Sequence, residues 1–272
     1  MTSTPELITS RDNALIKELR KLAQDGSAYR KNSRVWIEGE HLCDAAQARG
    51  LKAEIAVISD QKQHLAVMEC ARSATKTIVI ADALMREISG LESASGIGLV
   101  LALPQEMAIE PAARSVIFDR LQDPGNAGSI LRSAAAFGYE QIIALGGTVA
   151  LWSPKVLRAG MGAHFSLRIV EASSIEQLQP LQSAMAVTSS HRGQYLHQFN
   201  SLLKHEHSAQ YPRAKLADLA WIFGHEGQGV SAELEAQAQA HVRIAQPGGQ
   251  ESLNVAAAAA ICLHASAAAR AV

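Results

Sequence analysis

The sequence predicts an α/β protein built from two domains, and three observations carry that prediction. Short apolar runs alternate with stretches of helical period over the first hundred residues, and the same alternation restarts after residue 113. Between the two series, residues 104–113 hold two prolines and two glutamates, a composition that suits a linker. The 272 residues, 48% of them apolar, suffice for one core in each half. The first domain is placed at 1–105, the linker proper at 106–113 and the second domain at 114–272.

The elements follow in order. Leu15, Ile16, Leu19 and Leu22 recur at helical spacing across 12–22, with Asp12 or Asn13 available as N-cap. Val35-Trp36-Ile37 reads as a short buried strand ending in Glu38-Gly39-Glu40, and the helix after it stops near Gly50. Ile55-Ala56-Val57-Ile58, Thr77-Ile78-Val79-Ile80 and residues 97–103 are the next strands, with helices between them. In the second half, strands fall at 115–118, 141–145, 166–170, 184–188, 219–223 and 242–244. Their unbroken apolar character suits strands covered on both faces. Residues 189–218 are mostly polar, hold four of the ten histidines, and read as irregular or partly helical. An Ala-rich helix closes the chain at 254–269.

Composition excludes several classes. No run approaches 18 uninterrupted apolar residues, so no membrane span is expected. Residues 1–13 are polar and lack the apolar core of a signal peptide. Cys43, Cys70 and Cys262 are scattered, with no CxxC array, which suits a reducing cytoplasm. His205-Glu206-His207 lacks the HExxH spacing, so no metal site is expected. The net charge of −1 conceals a local imbalance: residues 1–36 carry seven basic against four acidic side chains, an excess of three. Such a surface attracts phosphate, although a charged run is more often a solvated helix face.

Three short polar or glycine-rich segments of the second half sit beside apolar runs, where strands end and helices begin. The first is Asp123-Pro124-Gly125-Asn126-Ala127-Gly128, with Arg132 four residues on. Pro-Gly-Asn makes a tight turn, Asn126 can cap a helix starting near Ala127, and free backbone N–H groups there suit an anion. The GK[ST] ending of a P-loop is absent. A capped helix with a surface arginine explains this segment equally well. The second is Gly224-His225-Glu226-Gly227-Gln228-Gly229. Three glycines in six residues suit a sharp turn or a close ligand approach, and an ordinary loop before a helix capped by Ser231 is the alternative. The GxGxxG fingerprint of dinucleotide enzymes is not met. The third is Glu251-Ser252-Leu253-Asn254-Val255, where helix capping by Ser252 or Asn254 is explanation enough.

Taken together, in this order and spacing, the three segments resemble the motifs of the SpoU (TrmH) branch of the SPOUT methyltransferases. The resemblance covers residue 115 to the C-terminus, and Pro154-Lys155-Val156-Leu157-Arg158-Ala159-Gly160-Met161-Gly162-Ala163 matches the family's segment between motifs one and two. Ile8-Thr9-Ser10-Arg11-Asp12-Asn13 and Trp36-Ile37-Glu38-Gly39-Glu40 make the first half similar to an RNA-binding domain related to ribosomal protein L30e. One departure stands out: the family's Ile-Pro-Met at motif three is Ile244-Ala245-Gln246 here, with proline at Pro247.

The resemblance implies a C-terminal SPOUT-type α/β domain with a deep trefoil knot, preceded by a small L30e-like RNA-binding domain. It implies S-adenosyl-L-methionine (AdoMet) as cofactor, against Thr188, Gly224, Gly229, Ile244 and Leu253. It implies methylation of a ribose 2′-hydroxyl, in ribosomal RNA sooner than transfer RNA, by a homodimer. The matching polar residues are Asn126, Arg132, Glu226, Ser252 and Asn254. Arginine stays protonated, so Arg132 is expected to stabilise the developing oxyanion or grip a phosphate. Asn126 and Asn254 orient groups around the ribose, Glu226 positions Arg132 or balances cofactor charge, and Ser252 serves near the hydroxyl. RNA affinity falls to Arg11, Lys17, Arg20, Lys21, Arg30 and Lys31. Two other classes compete: a non-catalytic RNA-binding assembly factor that keeps the knot, and a phosphate-ligand α/β enzyme using the 123–128 turn. The intact polar set argues against the first, and the missing P-loop lysine against the second.

Overall fold

The computed structural model describes residues 7–62, 65–91, 93–103, 107–189, 192–203, 216–248 and 252–270. Glu251, the His205-Glu206-His207 triplet and the first residue of the expected linker lie outside them. The chain divides into two compact units. One comprises 1–105 together with 152–165, and the other 106–151 together with 166–272.

The first unit is a five-stranded sheet in the order β1-β4-β3-β5-β2, from β1 (Leu7–Ile8), β2 (Arg34–Glu38), β3 (Ala53–Ser59), β4 (Ala74–Ile80) and β5 (Ile97–Ala102). Strands β1, β4 and β3 run parallel, and β5 runs antiparallel to both β3 and β2. Side chains alternate across it with the period of two that a strand imposes. On one face Val35, Ile37, Ala56, Ile58, Leu99 and Leu101 meet Leu42, Cys43 and Ala46 of α3 (Glu40–Ala48) and Val67 and Cys70 of α4 (Leu65–Ala71). On the other, Trp36, Val57, Ile78, Ile80 and Val100 meet α1 (Ala14–Gln24) and α5 (Asp82–Ile88). Helix α1 is capped by Asn13, whose side chain accepts from the Leu15 N–H at 2.9 Å. The indole of Trp36 occupies the space over Gly98, where an added Cβ would run into the ring. The sequence reading passed over β1 and the short α2 (Ala28–Asn32), each too brief to show a period. The segment 152–165, with α7 (Pro154–Gly160), belongs to this unit, and Leu157 joins its core.

The second unit is a seven-stranded sheet, parallel throughout, in the order β10-β12-β9-β11-β6-β7-β8. The strands are β6 (Ser115–Asp119), β7 (Gln141–Ala144), β8 (Arg168–Glu171), β9 (Met185–Thr188), β10 (Gln194–Tyr195), β11 (Ala220–Gly224) and β12 (Ala240–Arg243). One face buries Ile117, Ile143, Val170, Val187 and Ile222 against Leu178, in the 3-10 turn Ile175–Leu178, and Leu234 of α9 (Ala232–Gln237). The other carries Trp221 and Phe223 and is covered by α6 (Pro124–Ala136) and α10 (Val255–Arg270). Trp221 Nε1 donates to the buried Ser266 Oγ at 2.8 Å, which ties α10 to the central strand. The stretch 189–218 forms β10 and then α8 (Leu196–Leu203), so it is more regular at its start than its composition suggested. No helix among the described residues is long and apolar enough to cross a membrane.

Candidate active site

Because the sheet of the second unit is parallel, all its strands end on one edge, and loops there converge in space. Register pairs Gly224 with Asp119, Ile222 with Val187, and Thr188 with Val242. The ends of β6, β11, β9 and β12 therefore stand side by side. Thr188, Gly224 and Ile244, three of the expected cofactor residues, lie on this edge.

The first motif opens α6 one turn earlier than its sequence suggested. Asp123, not Asn126, is the N-cap, and its Oδ1 accepts from the Asn126 N–H at 2.7 Å. Pro124 occupies the first turn, where its missing N–H costs nothing. The correction has a consequence: the Asn126 amide is released from capping and points to the other motifs. Its Nδ2 donates to Glu226 Oε1 at 3.1 Å, and its Oδ1 accepts from Asn254 Nδ2 at 3.0 Å. Asn254 Oδ1 in turn accepts from the Ala256 and Ala257 N–H groups and caps α10. Glu226, Asn126 and Asn254, one from each motif, thus form a single relay. Every amide in it has one orientation, because the carboxylate at one end accepts only and the helix N–H groups at the other donate only.

Glu226 anchors the relay. Besides Asn126 it accepts from the Asp123 N–H at 3.0 Å and the Gln122 N–H at 3.2 Å. Partial burial pushes its pKa up, but the hydrogen bonds from Asn126 and from the backbone outweigh that, and the net shift is downward. It remains ionised at neutral pH and is no general base. Its hydrogen-bond partners are Asn126 and two backbone N–H groups, and none of them is Arg132. Arg132 lies exposed on α6 without a hydrogen bond or ion pair among the described residues. It follows Gly128 by one helical turn, and side chains on a helix lean toward its N-terminus, which directs Arg132 toward the motif-one end. Ser252 is also exposed and outside the relay.

The sequence reading missed Arg120 and Asp119. Arg120 holds φ +57°, a left-handed conformation that costs a non-glycine residue roughly 1–2 kcal/mol. Its guanidinium forks onto buried Asp119 and donates to Gln228 Oε1 at 3.0 Å and the Gly229 carbonyl at 3.4 Å. Asp119 Oδ2 also accepts from the Ser231 N–H at 2.5 Å, while the Ser231 hydroxyl makes no capping bond. Arg120 and Glu226 therefore fasten the glycine turn at two points. That turn is closed by reciprocal His225–Gly229 backbone bonds, with Gly229 at φ +69°. No periodicity could have exposed Arg120, because its role depends on a backbone angle.

The edge fits a cofactor held by loop backbone. Gly224 has no room for a side chain, since an added Cβ would run into the backbone of Gly229 and Val230. Leu253 presents an apolar side chain, 39% exposed, just before α10. In the loop after β12, Gln246 Oε1 is a buried acceptor without a partner among the described residues, and it stands where the sequence departs from the family pattern. No group of three or more potential metal ligands exists among the described residues.

The geometry defines an α/β enzyme that works at the carboxyl edge of a parallel sheet. Residues 113–264 match the SpoU rRNA Methylase family. Over 97% of its length the chain is 32% identical to an uncharacterised tRNA/rRNA methyltransferase of Synechocystis, covering 94% of that protein. Over 94% of its length it is 27% identical to the 23S rRNA (guanosine(2553)-2′-O)-methyltransferase of Bacillus subtilis, covering 97% of it. In fold it is similar to the SpoU methyltransferase AviRb of Streptomyces viridochromogenes, solved with AdoMet, at a TM-score of 0.77 and 22% identity, over 95% of this chain and 98% of that one. The chain belongs to the SpoU rRNA methylase family, and as a member it is an AdoMet-dependent RNA methyltransferase.

The expected RNA-binding cations of the first unit divide into two groups. Arg11 and Arg20 both pair with Glu87, the latter at 2.8 Å, and Lys17 pairs with Asp12 at 3.0 Å. Arg30 lies over the Tyr29 ring. Lys21 and Lys31 make no hydrogen bond or ion pair among the described residues.

Proposed function

We propose that this protein transfers the methyl group of AdoMet to a ribose 2′-hydroxyl of ribosomal RNA. The observation that carries this is the Glu226–Asn126–Asn254 relay, which joins three separated motifs at the edge where Thr188, Gly224 and Ile244, expected to meet the cofactor, lie. The relatives support the choice of substrate, since the Bacillus protein is a 23S rRNA 2′-O-methyltransferase. When bound, AdoMet supplies an activated methyl group on a sulfonium. It is held by the backbone of Thr188, Gly224, Gly229 and Ile244, with Leu253 against its apolar part.

The protein's own residues do the rest. Asn126 and Asn254 each keep one amide N–H beyond the relay, and these orient the ribose. Arg132 stabilises charge developing on the 2′-oxygen, a role suited to a guanidinium that never gives up its proton. Ser252 serves as a further donor or acceptor beside that hydroxyl. The second unit forms a deep trefoil knot, and the first unit serves as an L30e-like RNA-binding domain. The protein works as a cytoplasmic homodimer, and Ile261, 41% exposed on α10, suits an interface between copies.

The test is mass-spectrometric mapping of 2′-O-methyl nucleotides in ribosomal and transfer RNA from cells with and without the protein. One ribosomal mark should vanish, and return with wild type but not with Arg132→Ala. An unchanged ribosomal map would refute the substrate, and a lost base methylation in its place would refute the ribose assignment.

A further inference from the structure

The cations at the two edges of the first unit's parallel strands differ in how many are already neutralised. At the carboxyl ends of the parallel strands β1, β3 and β4, Arg11 and Arg20 are held by Glu87, Lys17 by Asp12 and Arg86 by Asp82, and Lys62 donates to the Ala94 carbonyl. The opposite edge, where β2, β3 and β4 begin, is different. Lys21, Lys31, Arg49, Lys52, Arg72 and Lys76 are there, all six exposed, and none makes a side-chain hydrogen bond or ion pair among the described residues.

Register brings them together. Lys52 precedes Ala53, which pairs with Ala74, and Arg72 lies two residues before that strand position. Lys76 pairs with Ile55, two positions into β3. Arg49 ends α3, and the adjoining Leu51 N–H returns to the Ala46 carbonyl, which holds the turn at the start of β3. Across the sheet, Ser33 accepts from the Leu103 N–H at 2.8 Å, so the end of α2, with Lys31, is fixed to the same edge. Asp25, which feels both Lys21 and Lys31, puts the end of α1 beside them. The carboxylates nearby do not neutralise the row. Glu18 and Glu54 are taken by Arg34 at 3.0 and 2.6 Å, while Asp25, bonded to Ser27, forms no ion pair among the described residues and offsets Lys21 and Lys31 only at longer range. Glu69 stands one turn before Arg72.

We infer that this amino edge of the first unit's sheet is the docking surface for the RNA sugar–phosphate backbone, with Arg49, Lys52, Arg72 and Lys76 as contacts that join Lys21 and Lys31. The inference rests on the RNA methyltransferase reading above. Free, exposed cations in a row are what phosphate recruits, because each contact releases a condensed counterion, whereas a cation already paired must first lose its partner. Four of the six belong to a stretch, 49–76, in which the sequence alone showed no basic run.

Deproteinised bacterial 23S ribosomal RNA is the probe, and the measurement is its affinity for the full-length protein over a range of KCl concentrations. Six phosphate contacts predict a slope of log K against log salt of about −4 to −5, and removal of three leaves about −2 to −3. The triple variant Arg49→Gln/Lys52→Gln/Arg72→Gln should flatten the slope by that amount. It should raise KM for RNA, leave kcat at saturating RNA unchanged, and keep the wild-type Tm, since no contact is lost. Arg11→Gln/Arg20→Gln should leave the slope unaltered. A triple variant of native Tm with the wild-type slope overturns the inference, as does a flattened slope in the Arg11/Arg20 variant alone. Wild-type protein that binds this RNA steeply but methylates no ribosomal RNA would overturn the methyltransferase reading instead, and the slope comparison would still decide the docking surface.

Discussion

Replacing Glu226 by glutamine isolates the charge of the relay from its shape. In the wild type one carboxylate oxygen accepts from Asp123 N–H and Asn126 Nδ2, and the other accepts from Gln122 N–H. Glutamine can keep at most the first two, and its amide then turns a donor toward the Gln122 N–H. One bond is lost and two lose charge assistance. Hydrogen bonds to charged groups contribute about 1.5–3 kcal/mol against about 1 for neutral ones, and solvent screening at this exposed loop reduces the net loss to roughly 1–2 kcal/mol. For a unit of this size that lowers Tm by about 3–6 °C. Activity should fall further than stability, by about 10²-fold in kcat, because the amide that meets the Gln122 N–H pushes the motif-one turn, and with it Asn126, out of position.

The pH dependence has a definite sign. The folded pKa of Glu226 is lowered from the ordinary 4.5, so its stabilisation is fully present above that value and disappears as pH falls through the lowered folded pKa. The Tm gap between wild type and Glu226→Gln should be constant through neutral pH and close in acid. Differential scanning calorimetry across pH, with a tritiated-methyl transfer assay at pH 7, measures both. Wild-type kcat in the variant, or a Tm gap that persists well below pH 4.5, would refute the anchoring role.

Other substitutions separate stability from chemistry. Arg132→Ala removes an exposed side chain with no partner among the described residues, so Tm should hold while methyl transfer falls by about 10²-fold or more, read in single turnover. Gly224→Ala forces a methyl group into the Gly229 backbone, and should cost about 1–3 kcal/mol and weaken AdoMet binding by calorimetry. Arg120→Gly relieves a left-handed residue worth roughly 1–2 kcal/mol but strips buried Asp119 of its cation and releases the Gln228 turn, so Tm and kcat should both drop. Trp221→Phe strands the buried Ser266 hydroxyl and should cost about 1–3 kcal/mol in thermal unfolding.

Much of this protein was legible in its residues. Apolar runs located the long strands because burial on both faces demands such runs, and Asn13 announced α1 because capping is a local matter of one side chain and one N–H. The motif residues could be named, since glycine turns and short polar side chains betray themselves in sequence. Their partnerships could not. Asn126 caps nothing because Asp123 already does, and only then is its amide free for Glu226 and Asn254, 100 and 128 residues away. Arg11 and Arg20 looked as available as Lys21 until the fold set Glu87 between them. The sequence by itself determined the elements and the chemical groups, because period, propensity and capping act over a few residues. Only the tertiary structure decided which groups meet and which charges stay free, because strand order in a parallel sheet is set by packing over long separations.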